Sequence, residues 1–278
     1  MVLTLTGASG FIGKALAERL LAAGHRVQPF SLRQSQAAPA CDAAIHLAGE
    51  PVAQRWTAAA KQRIRQSRAE GTRRFIAELS RLPAPPRVFI CSSAVGIYGS
   101  RGDDVLTEAA PPGTGFLAEV CLEWERVAEE ARAVNLRVIE LRTGVVLGRG
   151  GGALQRMLPA FRLGVGGRLG SGRQWMPWIH LADLLDLIEF ALREDGVSGP
   201  LNATAPNPET NRELTAALAS ALHRPAFLPV PAFALRAVFG EMASVLLDSQ
   251  RALPRAALDA GFRFRHPDLA PALRDLLG

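Results

Sequence analysis

The chain has 278 residues, of which 48% are hydrophobic, and its 32 Lys and Arg outnumber 26 Asp and Glu for a formal net charge of +6. This composition is typical of a soluble globular protein with one large or two modest domains; it excludes disorder, and no run approaches the roughly 20 apolar residues of a membrane helix. Aromatic residues make up only 6% of the chain and do not alternate with clustered basic residues, which argues against nucleic-acid binding.

The three cysteines, Cys41, Cys91 and Cys121, lie far apart and form no Cys-x-x-Cys pair. They indicate neither a disulfide framework nor a metal site, and we interpret them as small buried side chains. A glycine-rich turn begins at residue 7, which leaves no room for a signal peptide. We therefore expect a cytoplasmic protein.

The first element is a short apolar run, Val2 to Thr6, which leads into glycines at positions 7, 10 and 13. The run predicts a buried parallel strand, and helical spacing of apolar residues from Lys14 to Ala23 predicts a helix that ends at Gly24. Strand, glycine turn and helix in this order are typical of a dinucleotide site, because glycines let the backbone approach a pyrophosphate at the helix N-terminus. A tight structural turn without a ligand is the alternative.

A second strand is predicted at 25–31, where a dinucleotide site meets the adenosine ribose. NAD-binding proteins favour an acidic residue there, but no Asp or Glu occurs at 19–41. Ser31 and Arg33 instead suit a ribose 2′-phosphate through charge-assisted hydrogen bonds, so the sequence predicts NADP(H). The segment 32–40 is short and contains a proline, so we expect the usual crossover helix to be shortened or absent.

Strands and helices alternate along the rest of the first half. Strands are predicted at 42–49, 87–91 and 136–142, and helices at 58–82, capped by Thr57 and interrupted at Gly71, and at 117–134. The alternation predicts an α/β, Rossmann-like, doubly wound parallel sheet. We expect the NADP-binding domain at 1–150 and a smaller, mostly helical C-terminal lobe at 151–278, with 175–205 able to return to the first domain.

Several sequence blocks then carry a family likeness. TGASGFIG at 6–13, HLAG at 46–49, SSAVGIYG at 92–99, LRTGVVLG at 141–148 and WIHLAD at 178–183 follow one another in this order. With them the chain resembles the extended or atypical short-chain dehydrogenase/reductases. Narrower blocks, GEP at 49–51, RW at 55–56, FLAEVCLEWE at 116–125, GGAL at 151–154 and SQRALP at 249–254, resemble the "epimerase family protein" branch, which is often labelled sugar-nucleotide epimerase and has its own small C-terminal domain of uncharacterised role.

The resemblance covers nearly the whole chain and implies an NADP(H)-binding domain whose cleft is closed by the C-terminal part. The cofactor residues that it implies are Gly7, Ser9, Gly10, Phe11, Ile12 and Gly13 for the pyrophosphate, Ser31, Leu32 and Arg33 for the ribose phosphate, and Leu47, Ala48 and Gly49 along the cofactor, with Arg68 and Phe116 as further candidates. Arg68 could equally be an exposed helix charge, because periodicity alone does not say which way it faces.

The wider superfamily transfers protons with a tyrosine and a lysine four residues later, beside a serine or threonine. Here that pair cannot exist, because Tyr98 is the single tyrosine, its i+4 residue is Gly102, and both lysines precede it. At the matching helix the pair becomes Phe116 and Val120. Tyr98 lies in the SSAVGIYG block, and we predict a structural role for it.

Any proton transfer must then use another group. The candidates near a nicotinamide are Ser93, Glu119, Cys121 and His180. Each has a structural alternative: the two helix residues can face away, and His180 can join its loop to the following helix together with Asp183, a first-turn residue that the helix dipole favours.

The substrate is not defined by these motifs. Arg168 and Arg173, in a glycine-rich loop, could meet an anionic molecule, and a nucleotide-linked compound is one option. We expect an NADP(H)-dependent oxidoreductase- or epimerase-like enzyme with an atypical active site. The alternative is a redox or metabolite sensor that binds NADP(H) without turnover and whose C-terminal lobe serves a partner.

Overall fold

A computed structural model describes residues 1–33 and 37–278 of the chain. The first half contains β1 (Val2–Thr6), α1 (Phe11–Ala22), β2 (Arg26–Phe30), β3 (Ala43–His46), α2 (Ala58–Ser80), β4 (Val88–Ala94), β5 (Val105–Leu106), α3 (Phe116–Glu129), β6 (Arg137–Thr143) and β7 (Val145–Leu147). The second half contains α4 (Gly152–Arg162), β8 (Trp175–Met176), β9 (Trp178–His180), α5 (Leu181–Arg193), β10 (Gly199–Ala203), β11 (Glu209–Thr210), α6 (Asn211–Leu222), α7 (Ala232–Phe239), α8 (Ser244–Leu247), β12 (Arg251–Ala252), α9 (Arg255–Asp259) and α10 (Leu269–Leu277).

Six strands form one parallel sheet in the order β10-β6-β4-β3-β1-β2. The short apolar strands are covered on both faces, as parallel sheets require. The chain first moves outward from β1 to β2 and then returns across β1 to β3, so the strand order reverses between β1 and β3. Doubly wound proteins bind ligands beyond the carboxyl ends of the strands at such a switch point. The predicted α/β class is confirmed.

Two predictions about the helices fare differently. Between β2 and β3 the described residues, 31–33 and 37–42, form no helix, as the short segment indicates; residues 34–36 lie outside the described residues. The predicted break of α2 at Gly71 is wrong, since the helix is continuous. Thr72 and Phe75 are buried against the sheet and hold the helix through this point, while a Cβ at Gly71 would lie 3.9 Å from the Leu32 side chain.

The sheet has a separate apolar core on each face. Leu16 of α1 and Leu187 of α5 belong to one core with Leu5 and Ile90 of the sheet. On the other face Phe75 of α2 packs with sheet and α3 residues that include Phe89, Trp124 and Val138. Both cores are fully apolar at these positions, so burial fixes the helices against the strands and leaves their carboxyl ends open.

The C-terminal half contributes to the sheet as well as to a lobe of its own. Strand β10 pairs with β6 at the edge of the sheet, and Ala257 and Phe262 belong to the same core as α5. Helices α4, α6 and α10 surround a third apolar cluster, while β5 with β12, β7 with β9 and β8 with β11 form small two-stranded pairings. The sheet therefore draws α5 and β10 from beyond residue 150. Within the ranges that the structure describes, no helix is both long and apolar enough to cross a membrane.

Candidate functional site

The glycine turn joins β1 to α1, and two of its glycines are fixed by packing. Gly7 has φ of +75°, and a Cβ there would lie 2.8 Å from the backbone of Leu47 and Ala48. A Cβ at Gly13 would lie 2.1 Å from the Gly7 carbonyl oxygen, so α1 approaches the turn too closely for any side chain. These contacts hold the start of α1 against the carboxyl ends of β1 and β3.

Gly10 has a different environment from the other two glycines. It is exposed and precedes α1, its N–H donates to the Gly7 carbonyl at 3.0 Å, and a Cβ added to it would lie no closer than 3.3 Å to another atom. The following N–H groups of Phe11, Ile12 and Gly13 open α1, where no preceding turn supplies an acceptor. An anion above Gly10 would therefore meet free donors and the positive end of the helix dipole.

The side chain of Phe11 packs against the glycine-rich loop before α4. Its ring fills the space beside Gly148, Gly151 and Gly152, where added Cβ atoms would lie 2.2 to 2.8 Å from ring atoms. The glycine-rich loop before α4 is therefore shaped around this ring. Phe11, one of the sequence-predicted cofactor residues, therefore has two roles. Its backbone N–H is free to bind an anion, and its side chain packs against the glycine-rich loop.

At the end of β2, Ser31 and Arg33 lie in a turn, with the Arg33 N–H donating to Ser31 Oγ at 3.4 Å. The Leu32 carbonyl accepts a 2.8 Å hydrogen bond from the guanidinium of Arg74 on α2. Two exposed guanidinium groups, Arg33 and Arg74, thus flank the segment predicted to meet the adenosine ribose. The sequence names Arg33 directly, whereas Arg74 belongs to a basic run at 55–74. Most members of that run are expected on a solvated helix face, and one or two could point inward to a cofactor phosphate. We call the glycine turn, 31–33 and 47–49 the cofactor edge.

Arg68 turns inward from α2. Its guanidinium donates to the carbonyls of Glu50 and Ile64 at 3.0 and 3.1 Å, and it lies 4.9 Å from the ring centroid of Trp124. A Cβ at Gly49 would lie 3.4 Å from the same guanidinium. Burial lowers the pKa of Arg68, but an arginine stays charged in proteins. The sequence left open whether Arg68 faces the site or is an exposed helix charge, and in the structure it faces the site.

A cleft of about 440 Å³ begins beside these residues. Its floor comes from the ends of β3 and β4 and the first turns of α3, and its opposite wall comes from segments near 175–177 and 244–250. Six sequence-predicted site residues line this one cavity: Leu47, Gly49, Arg68, Ser93, Phe116 and Cys121. Such a concave, mostly apolar site with a few polar groups is typical of small-molecule binding.

The positions that would hold the catalytic tyrosine and lysine are apolar. Phe116 and Val120 both line the cleft, beside Cys121 of the same helix. Burial is the main cause that raises the pKa of the Cys121 thiol, to about 11, so this group is neutral near neutral pH. The wall of α3 therefore offers the cleft no charged or readily ionised side chain at these three positions.

Ser93 is a cleft residue whose hydroxyl is held by a buried network. Its Oγ donates to Glu125 Oε1 at 2.6 Å, and Arg142 binds both carboxylate oxygens of Glu125 at 2.9 and 2.8 Å. Arg142 also donates to the Tyr98 hydroxyl at 2.9 Å, which in turn donates to Asn202 Oδ1 at 2.7 Å. Tyr98 is fully buried and absent from the cleft lining. The network positions Ser93, and Tyr98 has a structural place in it.

Glu119 does not face the cleft, so its candidacy as a catalytic group is wrong. Its carboxylate lies 3.1 Å from the guanidinium of Arg65 on α2, and its side chain is 64% exposed. Neighbouring Val120 and Cys121 occupy the inner face of α3, and the helical turn therefore carries Glu119 to the outside.

His180 is also removed from the cleft, and its candidacy fails for a different reason. Its Nδ1 accepts the Ala182 N–H at 3.0 Å and so caps α5. In the neutral ring the proton then resides on Nε2, which lies 3.3 Å from an Asp275 carboxylate oxygen. Burial and then the nearby His266 lower the pKa of His180, which favours this neutral form.

The rings of His180 and His266 stack at 3.8 Å, and with Asp275 they form a group of possible metal ligands. Because Nδ1 is occupied as an acceptor, Nε2 carries the proton and has no lone pair for a cation. Asp183 completes the arrangement, since its buried carboxylate accepts the N–H groups of Arg265 and His266 at 2.8 and 2.9 Å. The WIHLAD block thus fastens the C-terminal segment to α5.

Arg168 and Arg173, expected near an anionic substrate, lie outside the cleft lining. Both are exposed, and Arg168 donates to the Ser171 carbonyl at 3.1 Å. Sequence reasoning missed two polar cleft residues, Asp248 and Gln250, because it assigned the tail only to short helices. The SQRALP block was the available signal, since it begins directly after Asp248.

The fold and the cleft define a Rossmann-like protein with a dinucleotide-type glycine turn at the switch point of its sheet. A family model described as "NAD dependent epimerase/dehydratase family" matches residues 3–203. A second, described as "Domain of unknown function (DUF1731)", matches residues 230–276. The chain belongs to the NAD dependent epimerase/dehydratase family, and the resemblance noted from its sequence blocks is confirmed.

Relatives are similar to the whole of this chain. The "Epimerase family protein SDR39U1 homolog, chloroplastic" of Arabidopsis thaliana is 40% identical over 302 residues, which span 100% of this chain and 87% of that protein. The crystal structure of human epimerase family protein SDR39U1 (isoform 2) with NADPH has a TM-score of 0.92 and 35% identity, covering 100% of this chain and 99% of the human one. A Corynebacterium glutamicum structure described as a nucleoside-diphosphate sugar epimerase has a TM-score of 0.81 and 32% identity, covering 100% of this chain and 58% of that one.

Proposed function

We propose that the chain binds NADP(H) at the cofactor edge and acts as an oxidoreductase- or epimerase-like enzyme on a small molecule in the adjoining cleft. The observation that carries the proposal is the continuity of the two sites: Gly7 packs against Leu47, and Leu47 also lines the cleft. The human SDR39U1 structure with NADPH, similar over the whole chain, supports the choice of cofactor. The description of the human structure names NADPH and no substrate, so it supports the cofactor alone.

The residues at the cofactor edge fit such a ligand. The N–H groups at the start of α1 suit the pyrophosphate, and the space above Gly10 admits it without a clash. Arg33 and Arg74 suit the 2′-phosphate, because guanidinium groups form charge-assisted and often bidentate hydrogen bonds with phosphate. When bound, the cofactor would supply hydride transfer.

Proton handling falls to residues outside the usual pair. The Ser93 hydroxyl directs its proton to Glu125 and keeps its oxygen lone pairs for a hydrogen-bond donor in the cleft. Arg142 holds the Glu125 carboxylate by two hydrogen bonds, so the orientation of Ser93 is fixed before any substrate binds. Phe116 and Val120 line the same cleft with apolar side chains and add no further proton donor or acceptor there. Ser93 is thus suited to orient a substrate hydroxyl.

A sensor that binds NADP(H) without turnover is the second candidate. The observation that favours it is the pair Phe116 and Val120, which gives the cleft no proton relay where the wider superfamily has one. In that case the C-terminal lobe would present the state of the cofactor to a partner.

We also propose a cytoplasmic location. Cys41, Cys91 and Cys121 are free thiols. Unpaired cysteines suit a reducing compartment, where disulfides are rare.

Two measurements test the proposal in sequence. NADPH fluorescence titration should give an affinity at least about ten-fold tighter than that for NADH, and Gly10→Val should remain folded by circular dichroism but lose binding. Equal affinities would contradict the NADP(H) assignment. Incubation of the protein with cell extracts and NADPH deuterated at nicotinamide C4 should then place deuterium in a metabolite, whereas tight binding with no transfer in any extract would support the sensor.

A further inference from the structure

The cleft wall opposite α3 is built by the C-terminal half of the chain, and we call it the C-terminal wall. Its residues that line the cleft are Trp175, Met176, Pro177, Ser244, Val245, Asp248 and Gln250. The family model for the enzyme-like part ends at residue 203, so the segment 244–250 belongs to the region matched only by a domain of unknown function. A recognition role for this wall is therefore not supplied by the family description.

The backbone around Asp248 and Gln250 is held from both sides. The Asp248 N–H donates to the Ser244 carbonyl at 2.8 Å, and the Gln250 N–H donates to the Trp175 carbonyl at 3.3 Å. Between them, Ser249 Oγ donates to the Gly102 carbonyl at 2.6 Å and accepts the Trp175 N–H at 3.0 Å. Directly afterwards β12 pairs with β5. Both side chains thus extend from a rigid backbone, as a binding group requires.

Asp248 differs from the other carboxylate of the cleft, Glu50. Glu50 accepts hydrogen bonds from Gln54 and Arg63 at 3.1 and 3.3 Å. Across residues 1–33 and 37–278, the structure gives neither the Asp248 carboxylate nor the Gln250 amide a side-chain hydrogen bond. Burial raises the pKa of Asp248 while the exposed Arg236 opposes this change, so the carboxylate is partly desolvated without a direct partner. A bound donor would relieve that cost.

Arginines in and beside the cleft are already engaged by other groups of the protein. Arg68 is occupied by two carbonyls and the Trp124 ring on the cofactor side. Arg251 stacks on Trp175 at 4.5 Å and is not a lining residue. The N-terminus of α3 also lines the cleft, but Glu119 lies in its first turn and offsets the helix dipole. Arg236, whose charge acts on Asp248, is exposed and is not a lining residue either. Among the residues of the C-terminal wall that line the cleft, Asp248 carries the charge, so a diphosphate or carboxylate placed there would meet a carboxylate.

We propose that Asp248 and Gln250 recognise the substrate, and that this substrate is a neutral or cationic molecule with hydroxyl or amine donors instead of a nucleoside diphosphate or other anion. The inference rests on the proposed function of the same cleft. Asp248 accepts hydrogen bonds from the donors, Gln250 both donates and accepts, and Trp175 with Met176 packs against the apolar part of the molecule. This proposal differs from the anionic substrate that Arg168 and Arg173 could meet, and the two alternatives are separated by the test below.

Three benzyl alcohols of one shape and different charge test the proposal: 4-(aminomethyl)benzyl alcohol, 1,4-benzenedimethanol and 4-(hydroxymethyl)benzoate. Binding to NADP⁺-saturated protein is measured by saturation-transfer NMR. The amine should bind about ten-fold more tightly than the diol, as a charge pair in a partly desolvated site allows, and the benzoate should bind least. Asp248→Asn should bring amine and diol within about two-fold of each other, while Asp195→Asn, which alters a fully exposed carboxylate, should change nothing.

Several outcomes would overturn the assignment of the wall. They are equal affinities for the three alcohols, an amine preference that survives Asp248→Asn, no binding of any alcohol at about 20 mM, and tight binding of UDP-glucose as a fourth probe. NADPH affinity is measured in parallel on the wild type and on Asp248→Asn and should be equal in both. Failure to bind NADPH at all would refute the proposed function. In that case the alcohol series is repeated on the protein without cofactor, so that the role of the C-terminal wall is still tested separately.

Discussion

The cofactor edge adjoins the cleft that the C-terminal wall lines, and the two regions offer different chemical groups to a ligand. At the cofactor edge the critical groups are backbone N–H groups and glycines, packed so tightly that an added Cβ would come within 2.1 Å of a neighbouring atom. At the C-terminal wall they are the side chains of Asp248 and Gln250, which extend from a fixed backbone into open space. Gly7 and Gly13 therefore tolerate almost no added volume. At the C-terminal wall, in contrast, we expect single substitutions of Asp248 or Gln250 to change the chemistry without disturbing the fold.

The sharpest way to separate structural from functional polar groups is to break the network behind Ser93. Glu125→Ala leaves the guanidinium of Arg142 buried without its carboxylate, and we expect a loss of about 3 to 5 kcal/mol in the free energy of unfolding. Glu123→Ala is the matched control on the same helix, because its ion pair with Arg65 is exposed, and it should cost less than about 1 kcal/mol. Urea denaturation measures both, and equal losses would contradict the structural role of the network.

At the cofactor edge, two neighbouring glycines should respond differently. Gly13→Ala forces a Cβ to 2.1 Å from the Gly7 carbonyl and should reduce the free energy of unfolding by about 3 kcal/mol. Gly10→Ala has space and should cost less than about 1 kcal/mol, yet it should weaken NADPH binding because the methyl group occupies the anion position. Urea denaturation and NADPH titration measure both variants. A lower free energy of unfolding for Gly10→Ala than for Gly13→Ala would contradict the distinction.

Two carboxyl groups with a raised pKa distinguish the sealed interior from the open wall. Burial, and next the neighbouring Glu129, raises the pKa of Glu140 from 4.5 to about 9. The folded state therefore holds a proton that the unfolded state releases above pH 4.5, so this residue lowers the free energy of unfolding as pH rises from about 4.5 to 9. Glu140→Gln should stabilise the protein by about 2 kcal/mol at pH 8 and not at pH 4.

The matched variant for the open wall is Asp248→Asn, whose carboxyl is only partly buried. It should change the free energy of unfolding at pH 8 by less than about 1 kcal/mol. Thermal unfolding at pH 4, 6 and 8 measures both variants, and a stability gain for Glu140→Gln that does not grow with pH would refute the assignment.

The smallest expected effect is at the ribose end of the cofactor edge. Arg33→Ala and Arg74→Ala should each weaken NADPH binding by about ten-fold and leave NADH binding unchanged, since only the 2′-phosphate distinguishes the two cofactors. Arg73→Ala is the control, because Arg73 pairs with Glu130 away from this turn. Loss of NADH and NADPH affinity in equal proportion would assign these arginines to the fold.

The cofactor edge could be predicted closely because its determinants are local. Gly7, Gly10 and Gly13 lie within seven residues, and the absence of acids around β2 is visible in the sequence alone. The same argument did not single out Arg74 from the basic run at 55–74, because Arg74 meets Leu32 from 42 positions away along the chain. Long-range approach of this kind depends on how α2 packs on the sheet.

The catalytic groups of the cleft were harder to predict, because they too are brought together by contacts between residues far apart in the sequence. Residue counts excluded the Tyr/Lys pair, but Glu119 and His180 entered as candidates because their sequence neighbours suggested a site. Only the helical turn of α3 shows that Glu119 faces Arg65, and only the fold brings His180 to His266 and Asp275. Asp248 is placed by its neighbour Ser249, which contacts Ser100 and Trp175. The SQRALP block marks this segment in the sequence but does not show these distant contacts.

The attachment of the C-terminal segment to α5 also bears on how the molecule unfolds. Asp183 is fully buried and its carboxylate depends on N–H groups from Arg265 and His266, while Phe262 completes an apolar core shared with the sheet. Removal of this segment would leave a charge without donors inside the protein. We therefore expect that the two matched family regions do not fold independently of each other. A chain that ends after residue 203 should fail to fold cooperatively even though it contains every strand of the central sheet.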